Sequence, residues 1–86
     1  MRLKSGQEIF FIDRNEEKHI FSYRKGKFLY SKGGSINRCV ISTIENGKEI
    51  LLSIPRSSIH TSEQEARDKV LFVAGLFERH GWRAAI

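Results

Sequence analysis

The stretch Tyr23-Arg24-Lys25-Gly26-Lys27-Phe28-Leu29-Tyr30-Ser31-Lys32 interleaves cations with aromatic rings. That composition suits phosphate neutralisation together with base stacking. Between Lys18 and Ile44 the basic residues are Lys18, Arg24, Lys25, Lys27, Lys32 and Arg38, and no Asp or Glu lies among them. This segment therefore supplies all of the chain's formal net charge of +5. A field gathered on one part of a fold attracts anionic partners more than the same charge spread evenly. The candidate nucleic-acid surface is thus Tyr23, Arg24, Lys25, Lys27, Tyr30, Lys32 and Arg38, with DNA and RNA equally suited. The alternative is that alternate aromatics face a core while the cations are solvated outside.

Other chemistry-bearing residues offer less. His19, His60 and His80 have no partner at i, i+3 or i, i+4 of another ligand type of the right softness for a metal, and His80 falls where a helix C-terminus favours a cation. Cys39 is the only cysteine, so no disulfide and no cysteine metal pair can form; it reads as a small apolar residue. Ser53, Ser57, Ser58 and Ser62 lack the setting of a nucleophile and suit caps and turns. The expectation is a non-enzymatic binding protein with no metal, cofactor or small-molecule substrate.

With 86 residues and 40% apolar content, the chain can bury one modest core, which sets a single domain over residues 1–86. No basic segment followed by an apolar h-region opens it, and the apolar run Val70 to Phe77 is too short to cross a bilayer. These features and the lone cysteine point to a cytoplasmic protein with no membrane partner.

The elements that must position the basic strip follow from pattern. Gln7 to Asp13 reads as a strand, followed by a charged loop to Lys18. Ile20 to Ser31 fits either a hairpin turning at Lys25-Gly26 or one long strand bent at the glycine; the bent strand is the better reading. Gly33-Gly34-Ser35 supplies a flexible break before a strand from Arg38 to Ile44. Asn46-Gly47 is the strongest local signal, because a two-residue type I′ turn needs positive φ at both positions. The turn sets Ile44 opposite Glu49, Thr43 opposite Ile50, Ile41 opposite Leu52 and Cys39 opposite Ile54. Cys39, Ile41, Ile50, Leu52 and Ile54 then face the core, with Val40, Ser42, Leu51 and Ser53 behind them. Pro55 ends the strand or makes it an edge.

Ser62-Glu63-Gln64-Glu65 fits a capping box, and Ala66, Val70, Val73, Ala74 and Phe77 repeat at helical spacing toward a stop at Gly81. This predicts a helix over about residues 62–80, packed on the sheet. Leu71, Phe72 and Leu76 flank that stripe and exceed what one sheet face requires. Either the Ser57 to His60 loop and the N-terminal residues wrap them, or with Trp82 they form a surface for a protein partner or a homodimer.

The run Gly6-Gln7-Glu8-Ile9-Phe10-Phe11-Ile12, then Arg24-Lys25-Gly26-Lys27-Phe28, then the hairpin and Thr61-Ser62-Glu63-Gln64-Glu65-Ala66, resembles small SH3-like barrel proteins of phages and mobile elements. The middle part is similar to the KOW type. The resemblance implies an α+β fold in which a curled antiparallel sheet of four to five strands, an SH3-like partial barrel, precedes one helix. It also implies a binding role toward RNA, DNA or protein, including inhibition of host or defence machinery. The longer second strand and the extended apolar helix depart from that pattern.

Overall fold

Asn46 and Gly47 turn the chain with φ of 51° and 77°, the left-handed pair that the dipeptide prescribes. The computed structural model describes residues 3–33 and 37–86. Around this turn, β3 (Arg38–Glu45) and β4 (Lys48–Pro55) pair in the expected register, including Ile41 with Leu52 and Cys39 with Ile54. β1 (Glu8–Asn15), β2 (Ile20–Lys32), β5 (Ile59–His60), α1 (Glu63–Leu76) and β6 (Arg83–Ala84) complete the fold. The sheet order is β4-β3-β2-β1-β5, antiparallel throughout, with β6 added in parallel to β2. The result is an α+β fold in which the curled sheet stays open rather than closing into a barrel, with one helix against it.

β2 is the long bent strand, 13 residues without an intervening turn. From Ile20 to Lys27 it pairs with β1, and from Lys27 to Lys32 with β3, with a bulge between Phe28 and Tyr30. The partner exchange brings β3 close to the backbone at Gly26, where a Cβ would stand 2.7 Å from the Ser42 carbonyl oxygen and 3.3 Å from the Phe11 ring. Only glycine fits that crossing. β1 runs beyond the expected end at Asp13 to Asn15, because the charged segment is a tight hairpin turn rather than an open loop. The Asn15 side chain accepts from the Lys18 amide at 3.0 Å, and His19 takes a φ of 55° to re-enter β2. Of the expected break at Gly33-Gly34-Ser35, Gly34 and Ser35 lie outside the described residues.

Strand alternation gives the β1–β2 ribbon an apolar cluster on each face. Ile9, Phe11, Phe28, Cys39, Ile41 and Ile59 form the inner one, with Leu3, Leu52 and Ile54 packed at its margin. The outer one joins Phe21 to Val70 and Ala74 of α1, with Ile12, Tyr23, Val73, Trp82 and Ala84 around them. Val40 and Ser42, on the outer side of β3, are also buried.

Ser62 caps α1 by accepting from the Glu65 amide at 3.2 Å. The reciprocal half of the expected capping box is replaced: the Glu65 carboxylate lies 3.6 Å from Nδ1 of the partly buried His60, whose Nε2 has no hydrogen-bond partner among the described residues. The helix ends at Leu76, short of His80. The Phe77 amide donates to both Val73 and Ala74 carbonyls, and a 3-10 turn over Glu78–His80 leads to Gly81 at φ 83°. Gly81 is thus the left-handed stop, one short element later than the α-helix itself. Beyond it the chain returns as β6, where the Arg83 amide donates to the His19 carbonyl and the Ala85 amide to that of Phe21.

Candidate functional site

Of the strip's cations, Arg24 projects to the inner face, whereas the strand register puts Lys25, Lys27, Lys32 and Arg38 on the outer one. Tyr23 and Arg24 point to opposite sides of β2. Tyr23 lies under the start of α1 and its hydroxyl donates to Glu63 Oε2 at 2.9 Å. That bond to a carboxylate raises the Tyr23 pKa above its ordinary 10.0, with desolvation and the Glu63 charge adding in the same direction. Its ring also meets Phe10 edge-on at 6.3 Å, so it is committed to the fold rather than free to stack on a base.

Several of the charges have partners inside the molecule. The Arg24 guanidinium lies over the Phe11 ring at 5.6 Å, donates to the Ile44 carbonyl at 3.1 Å and stands 3.8 Å from Glu45. Lys25 is 3.7 Å from the Glu8 carboxylate. Arg38 donates to the Ser53 carbonyl at 2.8 Å and to its hydroxyl at 3.3 Å. Lys27, Tyr30 and Lys32 are exposed, and neither lysine forms an ion pair among the described residues. A groove of about 540 Å³ opens where β3 departs from β2. Arg24, Lys25 and Lys27 line it, but so do Glu8, Glu49 and Ile44, which makes its charge mixed.

The helix presents a different surface. It buries its small side chains, Ala66, Val70 and Ala74, against the sheet, while Leu71, Phe72 and Leu76 are 51%, 61% and 62% exposed. The Ser57 to His60 segment does not cover them, because Ile59 and His60 add to the free edge of β1 as β5. Trp82 is separated from this patch. It packs at 4.6 Å from Phe21, with His19 edge-on at 5.0 Å and the Arg14 guanidinium over its ring at 5.1 Å, and so belongs to the outer cluster.

Cys39 is fully buried, its sulfur 3.8 Å from the Ser31 hydroxyl. Among the described residues no group of three His, Cys, Asp or Glu side chains comes together as metal ligands. Two further exposed apolar residues, Ile44 and Leu51, stand on the outer face of the β3–β4 hairpin at 63% and 62% exposure. The hairpin register places Leu51 there, and an apolar residue on the outer face of a strand is the sequence signal that marks it. No helix among the described residues is long and apolar enough to cross a membrane. No family model, no curated protein and no solved structure matches this chain.

Proposed function

We propose that this chain is a non-enzymatic protein-interaction module that engages its partner through Leu71, Phe72 and Leu76 of α1. The observation that carries the reading is the inversion of the helix: small residues meet the sheet, and large apolar ones meet solvent. Such contiguous exposed apolar groups on a small protein mark contact surfaces. The resemblance to SH3-like proteins of phages and mobile elements supports a role as an inhibitor or adaptor of a host or defence protein, and the buried free Cys39 suits a reducing, cytoplasmic setting.

A second reading, nucleic-acid binding through the basic strip, keeps support from Lys27, Tyr30 and Lys32, which project together from the far end of β2. The internal partners of Arg24, Lys25 and Arg38 count against it, since those contacts must be surrendered before the cations can meet phosphates.

The test compares wild type with Leu71→Ser/Phe72→Ser/Leu76→Ser and with Lys27→Glu/Lys32→Glu. On our reading the serine variant keeps its fold, with stability within about 0.5 kcal/mol per surface site, and loses a partner that wild type and the charge variant retain at high salt. The reading is overturned if wild type binds short DNA or RNA with a steep salt dependence in fluorescence anisotropy and Lys27→Glu/Lys32→Glu abolishes it.

A further inference from the structure

Pairing across the Asn46-Gly47 turn fixes which backbone groups of β4 are used. In a two-residue hairpin the residues flanking the turn form a hydrogen-bonded pair, and such pairs recur at every second position. Lys48, Ile50, Leu52 and Ile54 therefore direct their amides and carbonyls toward β3, their partners being Glu45, Thr43, Ile41 and Cys39. Glu49, Leu51 and Ser53 direct theirs the other way. β4 stands at the end of the sheet order, so that edge has no strand partner among the described residues. Between Glu49 and Pro55 the strand itself carries neither a charged residue nor a bulge, the usual means by which an edge is kept from pairing, and the charge that reaches this edge is the Arg38 guanidinium on the Ser53 carbonyl.

We infer that β4 is a dimerisation edge whose occupant is β4 of a second copy of this chain, antiparallel about a two-fold axis at Leu51. Self-pairing about an axis is the commonest way for identical chains to close an interface, and the register is chosen by two features. The first is Pro55, which has no amide and whose position falls on the outward edge. An axis at Leu51 sets Pro55 opposite Gly47 of the second copy, outside the new ladder. Every outward amide then finds a carbonyl: Glu49 with Ser53 of the second copy, Leu51 with Leu51, and Ser53 with Glu49. An axis at Leu52 would instead set Pro55 against Glu49 and leave a carbonyl there without its donor.

The second feature is charge. Glu49 and Ser53 share the outer face, and the Arg38 guanidinium already lies on Ser53, bonded to its hydroxyl and carbonyl. The Leu51 axis brings the Glu49 carboxylate opposite Ser53 of the second copy, beside that copy's Arg38, and symmetry repeats the pair. The exposed Leu51 meets its counterpart at the axis, and the half-buried Ile50 meets Leu52 on the inner face. Arg38, read from sequence as a phosphate contact, thereby becomes the cation that fixes the register.

Sedimentation equilibrium of the purified full chain across a wide concentration range tests this inference. Wild type is expected to show a monomer–dimer equilibrium. Glu49→Arg alone and Arg38→Glu alone place like charges at both ends of the interface and are each expected to weaken the dimer by more than about tenfold. Their equimolar mixture restores attraction at both ends and recovers a heterodimer. Ser53→Pro, which removes an outward amide and spares the β3 ladder, is expected to remain folded by circular dichroism and monomeric. A monomeric wild type at the highest concentration overturns the inference, as does a mixture that fails to recover the dimer. A dimer lost in Leu71→Ser/Phe72→Ser/Leu76→Ser but kept in Ser53→Pro overturns it in favour of the helix, which separates its fate from that of the partner surface.

Discussion

The two faces of the β1–β2 ribbon carry apolar clusters of unlike construction. The inner cluster is built from large side chains with almost no exposure, Ile9 and Ile41 at 0% and Phe11 at 2%. The outer cluster rests on small helix residues, with Phe21 its one large buried side chain among the described residues. Its other aromatics, Tyr23 and Trp82, are only half-buried, and Phe77, which stands beside Phe21, is 39% exposed. Large apolar groups were available on α1, yet Leu71, Phe72 and Leu76 point away from the sheet. The sheet's own core holds the fold, and the helix is a thinner attachment whose outer side presents Leu71, Phe72 and Leu76 to solvent.

That contrast predicts unequal costs. Phe11→Ala removes a fully enclosed ring from the inner cluster and should cost about 3–5 kcal/mol, enough to unfold much of a domain this small. Val70→Ala, at an equally enclosed helix position, should cost about 2 kcal/mol from the smaller area returned to water. Urea denaturation followed by circular dichroism measures both. Equal losses would show that the helix side is a second core of the same rank, and the surplus apolar surface on α1 would lose its argument.

Gly26 marks where β2 passes from one neighbour to the other, with the inner cluster directly beneath it. Gly26→Ala would push a methyl to 2.7 Å from the Ser42 carbonyl oxygen, a backbone atom with little freedom to yield, and to 3.3 Å from Phe11. The expected destabilisation is about 1–3 kcal/mol, again read from the urea midpoint. An unchanged midpoint would mean that β3 can move off β2 at this crossing, and that the inner cluster is looser than its burial suggests.

What was legible in the sequence was what local chemistry decides. Asn46-Gly47 fixes a turn, the turn fixes a register, and the register places Cys39, Ile41 and Leu52. Gly26 between Lys25 and Lys27 signalled the bend, and Ser62 signalled the helix start. β5 and β6 each span two residues and exist because β1 and β2 offer them an edge, which no local pattern announces. How the basic strip is partnered is hidden for the same reason. A run of cations looks continuous along a sequence, but a strand sends neighbours to opposite faces, and the acids that meet them, Glu8 and Glu45, lie far off in the chain. By polarity alone Trp82 belongs with Leu71, whereas the left-handed Gly81 returns it to Phe21.

The smallest effect concerns the seam where the basic strip meets the helix. The Tyr23 hydroxyl donates to Glu63 in the first turn of α1, and a phenolate there would face a carboxylate, so the folded state holds the proton more tightly than the unfolded chain does. The contribution of this group to stability is therefore fully present below the ordinary tyrosine pKa of 10.0 and is lost as pH rises through the higher folded value. An NMR titration of the tyrosine ring carbons should show Tyr23 ionising above 10.0, and Glu63→Gln should bring it down by removing the charged acceptor. If Tyr23 titrates at or below its ordinary value, the hydroxyl does not hold Glu63 in solution. The start of α1 would then be freer than its cap implies, and Tyr23 would return as a ring available to a ligand on the basic side.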